Sequence, residues 1–271
     1  METVDGLHPL AALLRRYSFA YTAAHDFSVC RELMVDDYVL RMGEHEIRGR
    51  EEAYIPATRK QYRQYPGLGF TVHDLVLTDD RAAMVFTEHG RSSLHGGAAA
   101  WGGVSLYRWS GQRLTECRVE QDYYARREQQ LTAVPHQIRP PAFDPWSIPA
   151  AQPDPETERL VREWLVDGGL AEAPIGSLDD EHCAPPCRPL IGRAEVSILD
   201  LFSAGRRAAF HVITQGTYAG GLHELDSHRG KQIELYCTGI ATVSDDGNIS
   251  VTAVTDRLGA ERRLDARRRR P

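Results

Sequence analysis

Several familiar signatures are missing from this chain of 271 residues. No apolar run approaches the roughly 18 residues that a membrane-spanning helix needs, so we expect no membrane segment. The N-terminus lacks a charged start followed by an apolar stretch, which argues against a secretory signal. The sequence also contains no glycine-rich phosphate loop, nucleotide fingerprint or serine nucleophile elbow. These absences favour cofactor-free acid–base chemistry over redox chemistry or phosphoryl transfer.

The chain has few cysteines and fewer basic residues than acidic ones. Five cysteines, an odd number in an otherwise ordinary chain, indicate reduced thiols and a cytoplasmic location. The net charge of −6 argues against a general affinity for nucleic acid. The basic tail 266–271 can bind an acidic partner, but we interpret it as a frayed, solvated end. His182, Cys183 and Cys187 lie close together, yet structural zinc usually has four ligands, so we predict no metal site.

An internal repeat is the most informative feature that is present. Asp74 and Arg81 recur as Asp200 and Arg207, each 126 positions later, within matching stretches of sequence. An earlier block, Ile47–Arg50, recurs 143 positions later, so the second copy has lost about seventeen residues between the two blocks. The repeat predicts two copies of one small domain, of which the second lacks the region of the third helix.

The order of predicted elements is helices first and a mostly antiparallel meander of strands afterwards, which is typical of an α+β domain. Seven prolines between the two copies predict an extended linker. The predicted organisation is a first domain with the ligand site at 1–131, a proline-rich linker at 132–155, a degenerate second domain at 156–265 and a basic tail at 266–271.

Three motifs of the first copy occur in a recognisable order. Asp36–Val39 forms a strand after the second helix, Gly49–Glu51 opens the third helix, and Glu116 precedes Asp122 by six residues on the closing strand. In this order they resemble the SnoaL-like group of the nuclear transport factor two superfamily, which includes polyketide cyclases and ketosteroid isomerase. The resemblance extends over both copies.

The resemblance implies two tandem cone-shaped domains, each a curved, mostly antiparallel sheet wrapped around helices with a dry pocket inside. Domains of this family usually pair through the outer faces of their sheets. A tandem chain can form that pair within itself, so we expect an intrachain pseudo-dimer, with a homodimer as the alternative.

Catalytic candidates lie on the closing strand of the first copy. Alternation along a strand places Leu114, Glu116, Arg118, Glu120 and Asp122 on one face. The resemblance puts Asp122 at the pocket-facing position of the family, where an apolar cone raises the pKa of a carboxyl toward that of a general base. Glu120 is a further candidate. The same face can instead be a solvated surface, with Arg118 neutralising Asp122 in a structural ion pair.

Other candidates come from the neighbouring strand and from the aromatic residues. Glu88 and His89 face opposite sides of their strand, so one of them enters the cone. We predict His89 as the acid–base residue because histidine titrates near neutrality, although it can equally be structural. Trp101 is expected on a glycine-rich loop that caps the pocket. The residues predicted to bind substrate, each of which can instead fill the core, are Tyr17, Tyr21, Tyr38, Tyr54, Trp101 and Tyr107.

The second copy departs from the pattern of the first. Its final carboxylate, Asp256, lies one residue out of register and would face the other side of the strand. We therefore predict a degenerate structural partner for the first copy, with His211 as the residue that argues for a second site.

The sequence as a whole predicts a cofactor-free cyclase, isomerase or lyase. Its substrate would be a hydrophobic, carbonyl-bearing small molecule such as a polyketide or steroid-like intermediate. The rival interpretation is a non-catalytic small-molecule-binding or scaffold protein. A weaker alternative is epoxide opening, with Glu120 or Asp122 acting together with Glu44 or Glu46.

Overall fold

The computed structural model describes residues 6–94, 96–172, 190–222 and 225–266. The predicted α+β class is confirmed, since two separate sheets pack against helices. The cysteine–histidine cluster at 182–187 and the arginines of the tail lie outside the described residues. Among the helices of the described ranges, none is long and apolar enough to cross a membrane.

The first unit contains a six-stranded sheet in the order β2-β1-β6-β5-β4-β3, with all neighbours antiparallel except β1 and β6. A π-helical turn precedes the third helix. The elements are α1 (Pro9–Arg16), α2 (Cys30–Leu33), β1 (Met34–Met42), β2 (His45–Arg48), α3 (Ile55–Gln64), β3 (Gly69–Leu77), β4 (Arg81–Arg91), β5 (Ala98–Trp109), β6 (Leu114–Gln121) and α4 (Tyr123–Thr132).

Helix α1 shows how local sequence positions the wall of the first unit. Pro9 occupies the first turn, where its missing N–H costs nothing, and the His8 ring accepts a hydrogen bond from the backbone of Leu10. Leu10, Leu13 and Leu14 are buried at helical spacing. The helix therefore closes one side of the sheet, and the chain continues as a π-helical segment into the interior.

The second unit contains a four-stranded antiparallel sheet in the order β10-β9-β8-β7. Buried Val161 and Leu165 of its first helix pack against Phe210 and Val212 of the sheet. The elements are α5 (Pro155–Val166), α6 (Gly169–Glu172), β7 (Ile191–Ala204), β8 (Arg207–Tyr218), β9 (Gln232–Val243), β10 (Ile249–Thr255) and α7 (Arg257–Ala266).

The proline-rich segment between the units runs along the free edge of β3. The backbone N–H of Ala142 donates to the Val72 carbonyl at 3.0 Å, and that of Ala151 donates to the Leu77 carbonyl at 2.9 Å. An edge strand with unpaired backbone groups is a template for aggregation, and this segment covers it.

The two sheets pack face to face through an apolar layer. Sheets that pack in this way bury the side chains of both inner-facing surfaces in a shared core. The buried residues of this layer are Val76, Ala83, Val85, Val104 and Leu106 from the first sheet, and Phe202, Ala204, Ala209, Ile240 and Val254 from the second.

The repeated acidic and basic residues form reciprocal ion pairs across this layer. Arg81 of the first unit donates to Asp200 of the second at 2.6 Å, and Arg207 of the second unit donates to Asp74 of the first. Reciprocal contacts of this kind are the signature of a two-fold, isologous interface. They support the intrachain pseudo-dimer, which we keep as a proposal.

The two pairs differ in environment. Asp200 is only 8% exposed and lies within 3.0 Å of Arg108 and 3.6 Å of Arg118 as well as contacting Arg81. The Asp74 side chain is 41% exposed and contacts Arg207. A buried cluster of this kind is strongly destabilised when one partner loses its charge, whereas exposed pairs contribute little.

We expect Asp200→Asn to lower the free energy of unfolding by about 3 kcal/mol, because it leaves a buried arginine unpaired. The matched change Asp74→Asn should cost less than about 1 kcal/mol, since that pair is exposed. Urea denaturation of both variants measures the difference. Equal losses would mean that burial does not separate the two pairs.

Candidate active site

A cavity of about 180 Å³ lies inside the first unit, between the concave face of its sheet and the helices. The wall is largely aromatic, with a few amide, hydroxyl and carboxyl groups. Its lining residues are Tyr17, Tyr21, Thr22, Leu40, Met42, Ile47, Tyr54, Ala57, Thr58, Gln61, Tyr62, Phe70, Phe86, Glu88, Ser105, Tyr107, Cys117, Val119, Gln121 and Tyr123.

The face of strand β6 that lines the cavity is the opposite of the predicted one. Cys117, Val119 and Gln121 line the cavity. Arg118 lies 3.6 Å from Asp200 of the second unit, on the outer face of the sheet. The alternation itself is as predicted, but the charged face of β6 contacts the second unit, and the mostly apolar face encloses the cavity.

Asp122 does not line the cavity. It follows the end of β6 and caps helix α4, where its Oδ1 accepts a hydrogen bond from the Ala125 backbone at 3.0 Å. Its Oδ2 accepts from Arg257 of α7 at 2.5 Å, and both side chains are only 1% exposed. This carboxylate joins α4 to the second unit, so the geometry does not support its assignment as general base.

Glu88 is the carboxyl group that enters the cavity. It lies on β4, is 6% exposed, and its Oε2 accepts a hydrogen bond from the Gln61 amide at 2.8 Å. Burial raises the pKa of Glu88 to about 7, although the Arg126 charge and the hydrogen bond from Gln61 favour its ionised form. A carboxyl that is half ionised at neutral pH is suited to both proton abstraction and proton return.

His89 lies on the other face of β4 and is not part of the cavity wall. Its Nε2 is 3.3 Å from the Thr71 hydroxyl. Its ring occupies the space beside Gly69, where a Cβ atom would lie 2.2 Å from the imidazole. Burial lowers the pKa of His89. The sequence correctly predicted that one of Glu88 and His89 enters the cone, and the structure places Glu88 there.

Four of the predicted tyrosines line the cavity. The hydroxyls of Tyr17 and Tyr54 are 3.2 Å apart, and Tyr107 packs edge-on against Tyr17. The Tyr21 hydroxyl is buried, and Thr58 and Tyr54 are its polar neighbours. Burial raises the pKa of all four groups well above the usual value, so they remain neutral donors.

Two predicted substrate-binding residues lie elsewhere. Tyr38 is fully buried in the core of the first unit, outside the cavity wall. Trp101 lies within strand β5 and not on a loop, and its indole N–H donates to the Gln121 amide oxygen at 2.9 Å. Trp101 therefore orients a residue of the wall from behind it.

Sequence reasoning missed several residues of the wall. Gln61 and Tyr62 come from α3, Gln121 ends β6 on its mostly apolar face, and Tyr123 begins helix α4. The signal in the sequence was the mostly apolar face of β6, because a dry cavity is lined by the apolar face of a strand.

An outer chamber of about 380 Å³ adjoins the cavity and shares five wall residues with it: Met42, Ala57, Gln61, Gln121 and Tyr123. The second unit contributes to its wall at and after the end of β10. The chamber is lined by Met42, Glu44, His45, Ala57, Lys60, Gln61, Gln64, Glu120, Gln121, Tyr123, Arg126, Asp256, Leu258, Gly259 and Arg262.

Glu120 lies at this chamber and not in the inner cavity. Its Oε1 accepts a hydrogen bond from the Gly43 backbone at 2.9 Å and lies 3.2 Å from Nε2 of His211 in the second unit. Burial and the nearby Asp256 raise the pKa of Glu120, and burial lowers the pKa of His211 to about 4. Both shifts favour neutral forms, so the pair joins the units without a net charge.

Comparison with known proteins supports the resemblance. Residues 14–117 match the family model of the SnoaL-like domain. A candidate SnoaL-like polyketide cyclase from Jannaschia is 17% identical, with a TM-score of 0.42, over 49% of this chain and 96% of its own. IdmH, a candidate polyketide cyclase from Streptomyces antibioticus, is 20% identical, with a TM-score of 0.42, over 46% of this chain and 99% of its own.

A third solved structure, AclR, is a candidate hydroxylase from Streptomyces galilaeus. It is 16% identical to this chain, with a TM-score of 0.41, over 45% of this chain and 94% of its own. No curated protein matches the chain. Within the described residues, no group of three or more histidine, cysteine or acidic side chains is placed to hold a metal ion.

We expect Glu88→Gln to stabilise the protein at alkaline pH. Folding raises the pKa of Glu88 from 4.5 to about 7. The protonated carboxyl therefore contributes fully to stability below pH 4.5, the pKa in the unfolded chain, and this contribution is lost as the pH rises through about 7, the pKa in the folded protein. The variant should match the parent at pH of about 4.5 and exceed it by about 3 kcal/mol at a pH of about 8. Denaturation across this range measures it; the exposed control Glu52→Gln should show no such divergence.

Proposed function

We propose that the first unit is a cofactor-free acid–base enzyme that acts on a hydrophobic, carbonyl-bearing small molecule. The observation that supports this most strongly is Glu88, a buried carboxyl with a pKa of about 7 in a cavity lined by tyrosines. Perturbed carboxyls in clefts are concentrated at functional sites because acid–base catalysis needs a pKa near the working pH.

The proposed reaction begins with ionised Glu88. It takes a proton from the carbon next to the substrate carbonyl, and the electron pair of the broken C–H bond forms an enolate. The buried Tyr21 hydroxyl of the cavity wall donates a hydrogen bond to the enolate oxygen. Gln61 orients Glu88 through its amide.

The fate of the enolate decides the type of reaction. Return of the proton from Glu88 to another carbon of the conjugated system gives isomerisation. Attack of the enolate carbon on a second carbonyl of the same molecule gives an aldol-type ring closure, and loss of a leaving group gives elimination. Each outcome uses the same base and the same oxyanion donor, so the polar groups of the wall support all three.

The rival proposal is a non-catalytic binding protein that uses the same cavity. An aromatic pocket with few polar groups suits a flat, apolar ligand whether or not a reaction follows. Turnover separates the two proposals, because a binder needs Glu88 only for affinity. Epoxide opening remains the weaker alternative, and its carboxylates would be Glu120 and Glu44 of the outer chamber.

We expect Glu88→Gln to reduce proton exchange next to the carbonyl by roughly 10²-fold or more, because the amide cannot accept the proton. Tyr21→Phe should reduce it by at least roughly tenfold through loss of the oxyanion donor. The measurement is deuterium incorporation into fused-ring ketones such as α-tetralone in D2O, followed by NMR. In the parent protein the rate should rise with pH and reach half its plateau near pH 7.

The matched control is His89→Gln, the neighbouring residue on the outer face of β4. It should keep the exchange rate of the parent protein. Full exchange in Glu88→Gln would exclude Glu88 as the base. Ligand binding without exchange in the parent protein would favour the binding function.

A further inference from the structure

The outer chamber is lined by three cations that form no ion pair with the residues that the structure describes. Lys60 of α3, Arg126 of α4 and Arg262 of α7 all line it. None of them has an acidic partner among the residues that the structure describes. Most of the arginines around them are paired, as Arg263 is with Asp256 at 3.2 Å and Arg257 with Asp122.

Two of the three acidic residues that line the chamber already have hydrogen-bond partners within the protein. Asp256 accepts hydrogen bonds from the Gly259 backbone at 2.9 Å and from Arg263 at 3.2 Å. Glu120 is held by Gly43 and His211, and its raised pKa favours the neutral form. Exposed Glu44 is the remaining acid, so the cations outnumber the available negative charge.

Aromatic rings hold Arg126 in place without an acid. Its guanidinium carbon lies 4.1 Å from the centre of the Tyr123 ring, 4.9 Å from Trp101 and 5.5 Å from Tyr65. Stacking of this kind fixes the plane of an arginine and leaves its N–H donors available to an oxyanion. Tyr123 lines both the cavity and the chamber, so Arg126 lies at their junction.

We propose that the outer chamber is an anion-binding subsite, built by both units, for an acidic group on the substrate. The ligand would be an amphiphile whose flat apolar body occupies the inner cavity and whose carboxylate or other oxyanion meets Lys60, Arg126 and Arg262. This inference rests on the proposed function. It gives the second unit a role in substrate recognition, through Arg262, beyond that of a structural partner.

Occupation of the subsite affects the base in the inner cavity. The positive charge of Arg126 lowers the pKa of Glu88. An oxyanion bound to Arg126 offsets that charge, which raises the pKa of Glu88 and makes its carboxylate a stronger base. A bound acidic ligand therefore shifts the ionisation of Glu88 to higher pH.

Two dyes with nearly the same body test the subsite. 8-Anilinonaphthalene-1-sulfonate carries an oxyanion, whereas N-phenyl-1-naphthylamine is its neutral counterpart. Both fluoresce on entering an apolar site, so titrations give both dissociation constants.

Arg262→Gln and Lys60→Gln should each weaken binding of the sulfonate by about fivefold, the size of a partly exposed charge pair. Arg262→Lys should retain most of the affinity, and the neutral dye should bind all variants equally.

The control is Arg113→Gln, an exposed arginine in the turn before β6, at the far end of the strand from the chamber. It should leave both dyes unchanged. An unaltered sulfonate affinity in Arg262→Gln and Lys60→Gln, an equal loss for both dyes, or no binding of the sulfonate to the parent protein would overturn the subsite. These titrations involve no turnover, so they are independent of whether Glu88→Gln abolishes exchange.

Discussion

The packing of the two sheets through their outer faces gives strands β4 and β6 of the first unit two different environments. One side of β4 and β6 faces the second unit, and the other side faces the cavity. Charged residues on the outer side are taken up in contacts between units, as Arg118 is with Asp200 and Glu120 with His211. Glu88 is the carboxyl in the cavity wall, and because no cation among the described residues forms an ion pair with it, burial dominates its pKa.

Much of this arrangement was predictable from the sequence. The repeated Asp74 and Arg81 pattern predicted a duplication, and in the structure these residues form the reciprocal pairs with Arg207 and Asp200. The α+β class followed from the order of helices and strands. Strand alternation correctly separated Glu88 from His89. These features depend on local periodicity, which a single sequence records.

The identity of the cavity face was not predictable by the same means. Alternation sorts residues into two sets but does not say which set is enclosed. The charged residues on the Glu116–Asp122 face of β6 resembled a catalytic site. In the structure Glu120 contacts His211 and Asp122 contacts Arg257, and both partners belong to the second unit, more than ninety residues later in the chain. Trp101 was misplaced for a related reason, since glycines 102 and 103 lie within a strand and not in a loop.

The second unit lines part of the outer chamber and, under the proposed duplication, carries no base of its own. The repeat matches Glu88 to Thr214, which cannot serve as a base, and the described residues of the second unit contain no helix between the two repeated blocks to match α3, which supplies Gln61 to the first unit. Its last helix instead brings Arg257 to Asp122 and places Arg262 in the outer chamber. Because a buried carboxyl with a raised pKa destabilises the ionised state at neutral pH, the folded chain needs stabilisation from elsewhere. The apolar layer and the buried ion pairs between the units supply contacts that a single copy would lack, and these contacts offset the cost of burying Glu88 in the first unit.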